Sequence, residues 1–157
     1  GGNSGSGGAR TDTETSTLQV AAVNDAPTLA APTVIPISLG GSGPITGIVA
    51  GDIDVAGGSM TQTLSVPEGT LAASSQGGVT VTGSGTQNLV LTGTLSALNG
   101  FHAPTPRVTY TQAGSPSLNV PLSIVVNDNG GTGSGGARTA SAGSMLRTGT
   151  LFMNGFE

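Results

Sequence analysis

The chain has 157 residues, of which 8% are charged, and a formal net charge of −4. Its only cations besides a single histidine are Arg10, Arg107, Arg138 and Arg147, so it carries no basic stripe to neutralise phosphates. Nucleic acid and anionic membrane are therefore excluded as expected partners. With no cysteine, disulfides and thiolate metal sites are excluded as well.

The N-terminal stretch holds an internal repeat. The heptapeptide Gly-Ser-Gly-Gly-Ala-Arg-Thr stands at residues 5–11 and again at 133–139. Self-similarity at fixed spacing marks a tandem-repeat architecture. The expected organisation is residues 1–26 as the end of one repeat, comprising a Gly-rich loop, a terminal strand and a linker, and residues 27–157 as a second repeat with a C-terminal tail. In the segment 11–23, Leu18, Val20 and Ala22 share one parity, the period of a half-buried strand.

Further along, the same alternation recurs in Met60, Leu64 and Val66, then in Val79 and Val81, then in Leu89 and Leu91. Pro-Glu-Gly at 67–69, Gln-Gly-Gly at 76–78 and Gly-Ser-Gly at 83–85 supply turn chemistry between these strands, with Glu68 as a turn residue. A helical turn is predicted at 95–99. His102 follows Asn-Gly-Phe and is expected on a solvent-facing loop. Val108 and Tyr110 predict a core strand.

The longest alternation is Leu118, Val120, Leu122, Ile124 and Val126, and it contains Pro121, which belongs at an edge or bulge because proline donates no ladder hydrogen bond. Residues 129–136 are glycine-rich and predict a mobile hairpin loop, of which residues 1–8 are the truncated counterpart. Residues 139–153 supply a second candidate for the terminal strand. In the tail, Leu151, Phe152 and Met153 are expected to pack on the domain, while 154–157 have no assigned role. Short strands at this spacing predict an all-β antiparallel sandwich with one strand more than it needs.

Five segments also carry a family likeness. Val-Asn-Asp-Ala-Pro at 23–27, Gly-Asp-Ile-Asp-Val-Ala-Gly-Gly at 51–58, Glu-Gly-Thr-Leu at 68–71, Leu-Thr-Gly-Thr-Leu at 91–95 and Val-Asn-Asp-Asn-Gly at 126–130 resemble the cadherin-like tandem repeats of large bacterial surface proteins. The resemblance implies an immunoglobulin-like β-sandwich exported to the cell surface, acting in adhesion or as a stalk. It also implies calcium, bound where repeats meet, with Asp25, Asp52, Asp54 and Asp128 in the matching motifs and Asn24 and Asn129 as carbonyl donors. Calcium requires six to eight oxygen ligands from several loops, and extracellular modules bind it with dissociation constants of about 0.1 to 1 mM. The chain departs from the family pattern in having only eight acidic residues and no acid directly following Gly114, where many relatives have one. Asp and Asn beside Gly or Pro also form Asx turns that need no metal.

No catalytic constellation emerges: His102 has no neighbouring acid in sequence to orient it, and the glycine-rich heptapeptide leads into a strand rather than a helix N-terminus. The expectation is a non-enzymatic extracellular module, a stalk repeat or a surface-filament subunit. Such a filament would join head-to-tail by donation of the N-terminal strand through Leu18, Val20 and Ala22. The alternative is an adhesin domain that recognises glycan or protein through loops near 83–87 and 101–106. With one Tyr and no Trp, platforms for stacking a sugar are scarce, which favours the structural reading.

Overall fold

The computed structural model describes residues 5, 7, 11–38, 41–103, 105–114 and 117–148. The expectations for residues 1–4, 6 and 8, for the terminal strand beyond residue 148, and for the tail residues Leu151, Phe152, Met153 and 154–157 lie outside the described residues.

Alternation becomes sheet structure over residues 59–65, 88–94 and 119–127. Strand β5 (Ser59–Ser65) turns Met60, Gln62 and Leu64 inward and Ser59, Thr61, Thr63 and Ser65 outward. Strand β8 (Asn88–Thr94) does the same with Leu89 and Leu91, and β10 (Asn119–Asn127) with Val120, Leu122, Ile124 and Val126. With β2 (Val34–Ile37), β7 (Thr80–Thr82) and β11 (Thr139–Thr148) they form a six-stranded sheet in the order β2-β11-β10-β5-β8-β7. All of its pairings are antiparallel except β11 with β2.

A three-stranded sheet, β3-β9-β6, is built from Ser42–Pro44, Thr109–Thr111 and Thr70–Ala72, and a two-stranded one from β1 (Thr28–Ala30) and β4 (Val49–Gly51). One apolar cluster joins them. Leu71, Tyr110 and Ile45 from the smaller sheets and their loops are buried with Met60, Leu64, Leu89, Leu91 and Ile124 of the large one. The result is a mostly β, sandwich-like arrangement whose core is aliphatic, with Tyr110 and Phe101 as its largest fully buried side chains. At about 25 cal/mol per Å² of apolar surface, such burial is the main term opposing chain entropy.

Two local features show why particular residues are required. Gly93 lies inward on β8, and a Cβ there would stand 2.8 Å from the Gly78 carbonyl oxygen, so the turn before β7 can approach β8 only over glycine. Pro121 lies in the interior of β10. Leu118 O accepts from Thr148 N on the β11 side, and backbone polar groups alternate sides along a strand, so the missing N–H of Pro121 faces β5. Pairing with β5 has already ended there, at Ser123 with Ser65. The edge position expected for the proline is thus reached inside a central strand, where its neighbour stops.

Helix α1 (Leu95–Phe101) is longer than the single turn predicted. Thr94 caps it, its side chain accepting from Ala97 N at 3.3 Å, and Leu98 and Phe101 point into the core. That extra length overturns one expectation. His102, placed by the sequence on a solvent-facing loop, is 3% exposed, because the helix carries its last residues into the core. Its Nε2 is 2.8 Å from Gln62 Oε1 and its Nδ1 3.4 Å from Ile45 O. Tyr110 occupies the core strand expected of it, and its hydroxyl donates to Glu68 O at 3.3 Å.

Among the described residues no helix is long and apolar enough to cross a membrane. Residues 11–22 join no sheet, although their alternation predicts a strand. A lone strand has no partner for its backbone groups, and here Leu18 is 87% and Val20 84% exposed, with Ala22 exposed beside them.

Candidate functional site

Among the described residues, the segment ahead of β1 is fastened to the domain at residues 22–25, against two loops. One loop precedes β5 and holds Asp52 and Asp54; the other joins β10 to β11 and follows Asp128. Val23 pairs with Ser134 in an isolated parallel bridge, with Asn24 N donating to Ser134 O at 2.8 Å and Ser134 N donating to Ala22 O at 3.0 Å. Thr132 donates to Asp54 O through both N (3.0 Å) and Oγ1 (2.7 Å). The glycine-rich segment expected to be a mobile hairpin loop is therefore tied at two points, to residues 22–24 and to Asp54.

Asn24 is fully buried, and its Nδ2 donates to Asp128 Oδ2 at 2.7 Å and to Gly136 O at 2.8 Å. Both partners are acceptors, which fixes the amide orientation and leaves Asn24 Oδ1 buried without a hydrogen-bond partner. Gly131 adopts φ +35° beside this oxygen, and a side chain there would collide with it.

Asp128 is 2% exposed and accepts, besides Asn24, Arg138 N at 2.7 Å and Gly130 N at 2.8 Å on Oδ1. Burial raises its pKa, but these N–H donors, the Asn24 amide and the Arg138 charge together outweigh burial and hold it below the ordinary carboxylate value. For His102 burial dominates and pushes the imidazole down, against a smaller opposing effect of the Ile45 carbonyl.

The other three predicted ligands gather around Asp54. Asp52 Oδ1 accepts from Asp54 N at 2.7 Å and Val55 N at 3.0 Å, an Asx turn, while its Oδ2 is buried and unpartnered. Asp54 Oδ2 accepts from Asp25 N at 2.5 Å, and Asp54 Cβ and Asn24 Oδ1 both flank Gly131. Asp25, through its backbone N–H, and Asp52, through Oδ1, thus each touch Asp54. Asp128 stands apart in role, its carboxylate already taken by three protein donors. Asn129 is turned elsewhere, its amide donating to Ser59 O and Thr61 Oγ1.

Among the described residues no group of three or more His, Asp or Glu side chains is close enough to hold a metal by itself. The chemistry of the site nevertheless fits a hard cation. Two buried oxygens, Asn24 Oδ1 and Asp52 Oδ2, have no hydrogen-bond partner, and oxygens are the donors calcium takes. Desolvated acceptors without a donor are costly, by about 1–3 kcal/mol each, so the site has something to gain from a cation.

Sequence reasoning missed the burial of Asn24 and the Gln62–His102 pair. For Asn24 the signal was present, since Asn24 and Ser134 adjoin the linker and the repeated heptapeptide. For His102 the alternation of β5 was the only hint, because it puts Gln62 on the same face as Met60 and Leu64.

Comparison with known proteins finds no family model that matches the chain and no curated protein that matches it.

Proposed function

We propose that the chain is a non-enzymatic, extracellular structural module, a cadherin-like repeat with an immunoglobulin-like β-sandwich that joins head-to-tail with its neighbours at the cell surface. The observation that carries this reading is the state of residues 11–22. They have a strand's alternation and belong to no sheet, with Leu18 and Val20 almost fully in water. A strand in that condition is a donor for another subunit's sheet, through backbone pairing and alternate side chains. Head-to-tail contact of this kind does not close, so it gives a stalk or filament rather than a ring.

Calcium belongs to the same reading. Asn24 Oδ1, Asp25, Asp52 Oδ2 and Asp54 would hold it, with solvent completing the ligand number. The ion would supply positive charge where residues 24–25 meet the loop holding Asp52 and Asp54, stiffening the joint between one module and the next. The residues themselves already clamp this joint through Asp25 N to Asp54 Oδ2 and Thr132 to Asp54 O.

The test compares the intact chain with a variant lacking residues 1–22, which keeps Asn24 and every sheet strand. By electron microscopy and sedimentation the intact chain is expected to form linear assemblies and the deleted one to stay monomeric. Fibres formed by the deleted chain would rule out the N-terminal strand as the joint.

A further inference from the structure

Resting on the self-assembly reading, the repeat identifies where the donated strand goes: we propose that residues 11–20 of one copy replace β11 in the next, in the slot between β10 and β2. The heptapeptide puts residue 11 in register with residue 139, the first residue of β11. Carried along the strand, this register lays Ser16 on Ser144, Leu18 on Leu146 and Val20 on Thr148. Those three β11 residues are the buried ones, at 6%, 1% and 4% exposure. Two of the three inward residues are identical in the two segments, and the third, Val20, is apolar where β11 buries a hydroxyl.

The outward positions agree as well. Thr15 falls on Gly143, where a Cβ meets nothing nearer than Leu122 O at 3.9 Å, and Gln19 falls on Arg147, which is exposed. Asp12 and Glu14 share the inward parity and fall on the half-buried Ala140 and Ala142, so the match of the two segments is confined to residues 15–20 and the acids oppose burial at the start of the strand. Replacement touches only the pairings of β11 with β10 and β2, leaving those of β5, β8 and β7 intact. The number of strand pairings is unchanged by the exchange. At the buried positions Leu18 and Val20 leave water and Leu146 and Thr148 enter it, which adds the apolar surface of Val20 over Thr148, while Asp12, Glu14 and Thr17 take the half-buried places of Ala140, Ala142 and Met145 and offset part of that gain.

The geometry also accounts for direction. A donated strand runs as β11 does, and it ends at the far end of the sheet from the β10–β11 loop. Residues 21–23, spanning at most about 10 Å, then lead into the donor's own domain. There Ser134 N holds Ala22 O and Asn24 is buried. Successive domains therefore follow one another along one line, the open geometry of exchange without symmetry.

The chain has no cysteine, so a cysteine pair reports the register directly. Asn119 pairs with Arg147 across β10 and β11, and residue 19 of the donor takes the place of 147. After incubation at high concentration and oxidation, the full-length double variant Gln19→Cys, Asn119→Cys is expected to give a ladder of covalent oligomers. The pair Gln19→Cys, Thr82→Cys, aimed at the outer strand β7, is expected to give none. A ladder from the β7 pair instead would mean edge addition and would overturn the exchange. Filaments without a ladder from the Asn119 pair would overturn the exchange while leaving self-assembly standing, and absence of any assembly would overturn both. Thr148→Val, which improves β11 in its own slot, is expected to lower the assembled fraction several-fold; an unchanged fraction contradicts replacement.

Discussion

Asn24 and Asp128, 104 residues apart in sequence, are buried against each other with Nδ2 2.7 Å from Oδ2. This contact fastens the segment ahead of β1 to the end of β10, and Asn24 N to Ser134 O continues it into the loop before β11. The start of the domain and its last hairpin are therefore held by one polar cluster. Where a buried carboxylate is satisfied by several donors, losing one of them leaves desolvated charge uncompensated.

Replacing Asn24 with alanine removes the donor to both Asp128 Oδ2 and Gly136 O. The expected cost is about 1–3 kcal/mol of folding stability, read from chemical denaturation. Asp128→Asn should cost a comparable amount, because the neutral amide is a weaker acceptor for Arg138 N and Gly130 N. The double variant is expected to cost less than the sum of the two, since the residues share one bond. Full additivity would show that the pair does not act as a unit.

Acid should weaken the fold in two windows with different causes. His102 is held below its ordinary 6.5 by burial, so as pH falls beneath that value the unfolded chain binds a proton that the folded chain resists, and stability declines. Asp128 is held below its ordinary 3.8, so its contribution is complete above that value and is lost as pH falls through its folded pKa. Melting temperature followed from pH 8 downward should fall first below about 6.5 and again in the carboxylate range. His102→Leu should flatten the first decline while lowering the baseline, since Gln62 Oε1 loses its partner. A first decline unchanged by that substitution would point to a different group.

The strands were legible because small aliphatic residues alternate with Ser and Thr, and β5, β8 and β10 each bury the parity the sequence offers. What alternation does not encode is pairing order. That β11 runs parallel to β2 while antiparallel to β10 depends on contacts far apart in sequence. The acidic motifs of the site were legible as loop chemistry, and Asp52 serves as the Asx turn that its neighbours suggest. The division between Asp128, consumed by protein donors, and Asn24 and Asp52, each left with an orphaned oxygen, depends on which loops meet and so lies beyond local reading. His102 shows the same limit. Its burial follows from α1 continuing to Phe101 through Asn-Gly, residues that by themselves signal a stop.

Asn99 acts as a substitute strand. Its side chain accepts from Ala50 N at 2.8 Å and donates to Ala50 O at 2.9 Å, completing the backbone of β4, which among the described residues otherwise pairs only with β1. Asn99→Ala is expected to destabilise by about 1–3 kcal/mol, because Ala50 is buried and its two backbone groups would be left without partners. Asn99→Asp, which keeps the acceptor but not the donor, should recover part of the loss. Amide hydrogen exchange at Ala50 should rise in the alanine variant more than at Met60 in the neighbouring sheet; equal changes at both would mean global rather than local loosening.

The proposed cation site yields the sharpest solution test. If calcium binds the folded chain with a dissociation constant of about 0.1 to 1 mM, then 10 mM calcium adds roughly 1.4 to 2.7 kcal/mol by mass action. For a domain of this size each kcal/mol shifts the midpoint by about 2–4 °C. The melting temperature should therefore rise by about 3 to 10 °C over a chelator control, and magnesium, which dehydrates reluctantly, should do less. Asp54→Asn keeps the acceptor for Asp25 N but removes a charge from the cluster, so it should lose most of the calcium response while altering the metal-free midpoint little. Asp12→Asn, outside the cluster, should respond as the unaltered chain does. A rise that persists in Asp54→Asn would mean that calcium acts elsewhere, and a midpoint indifferent to millimolar calcium would leave the orphaned oxygens of Asn24 and Asp52 to solvent alone.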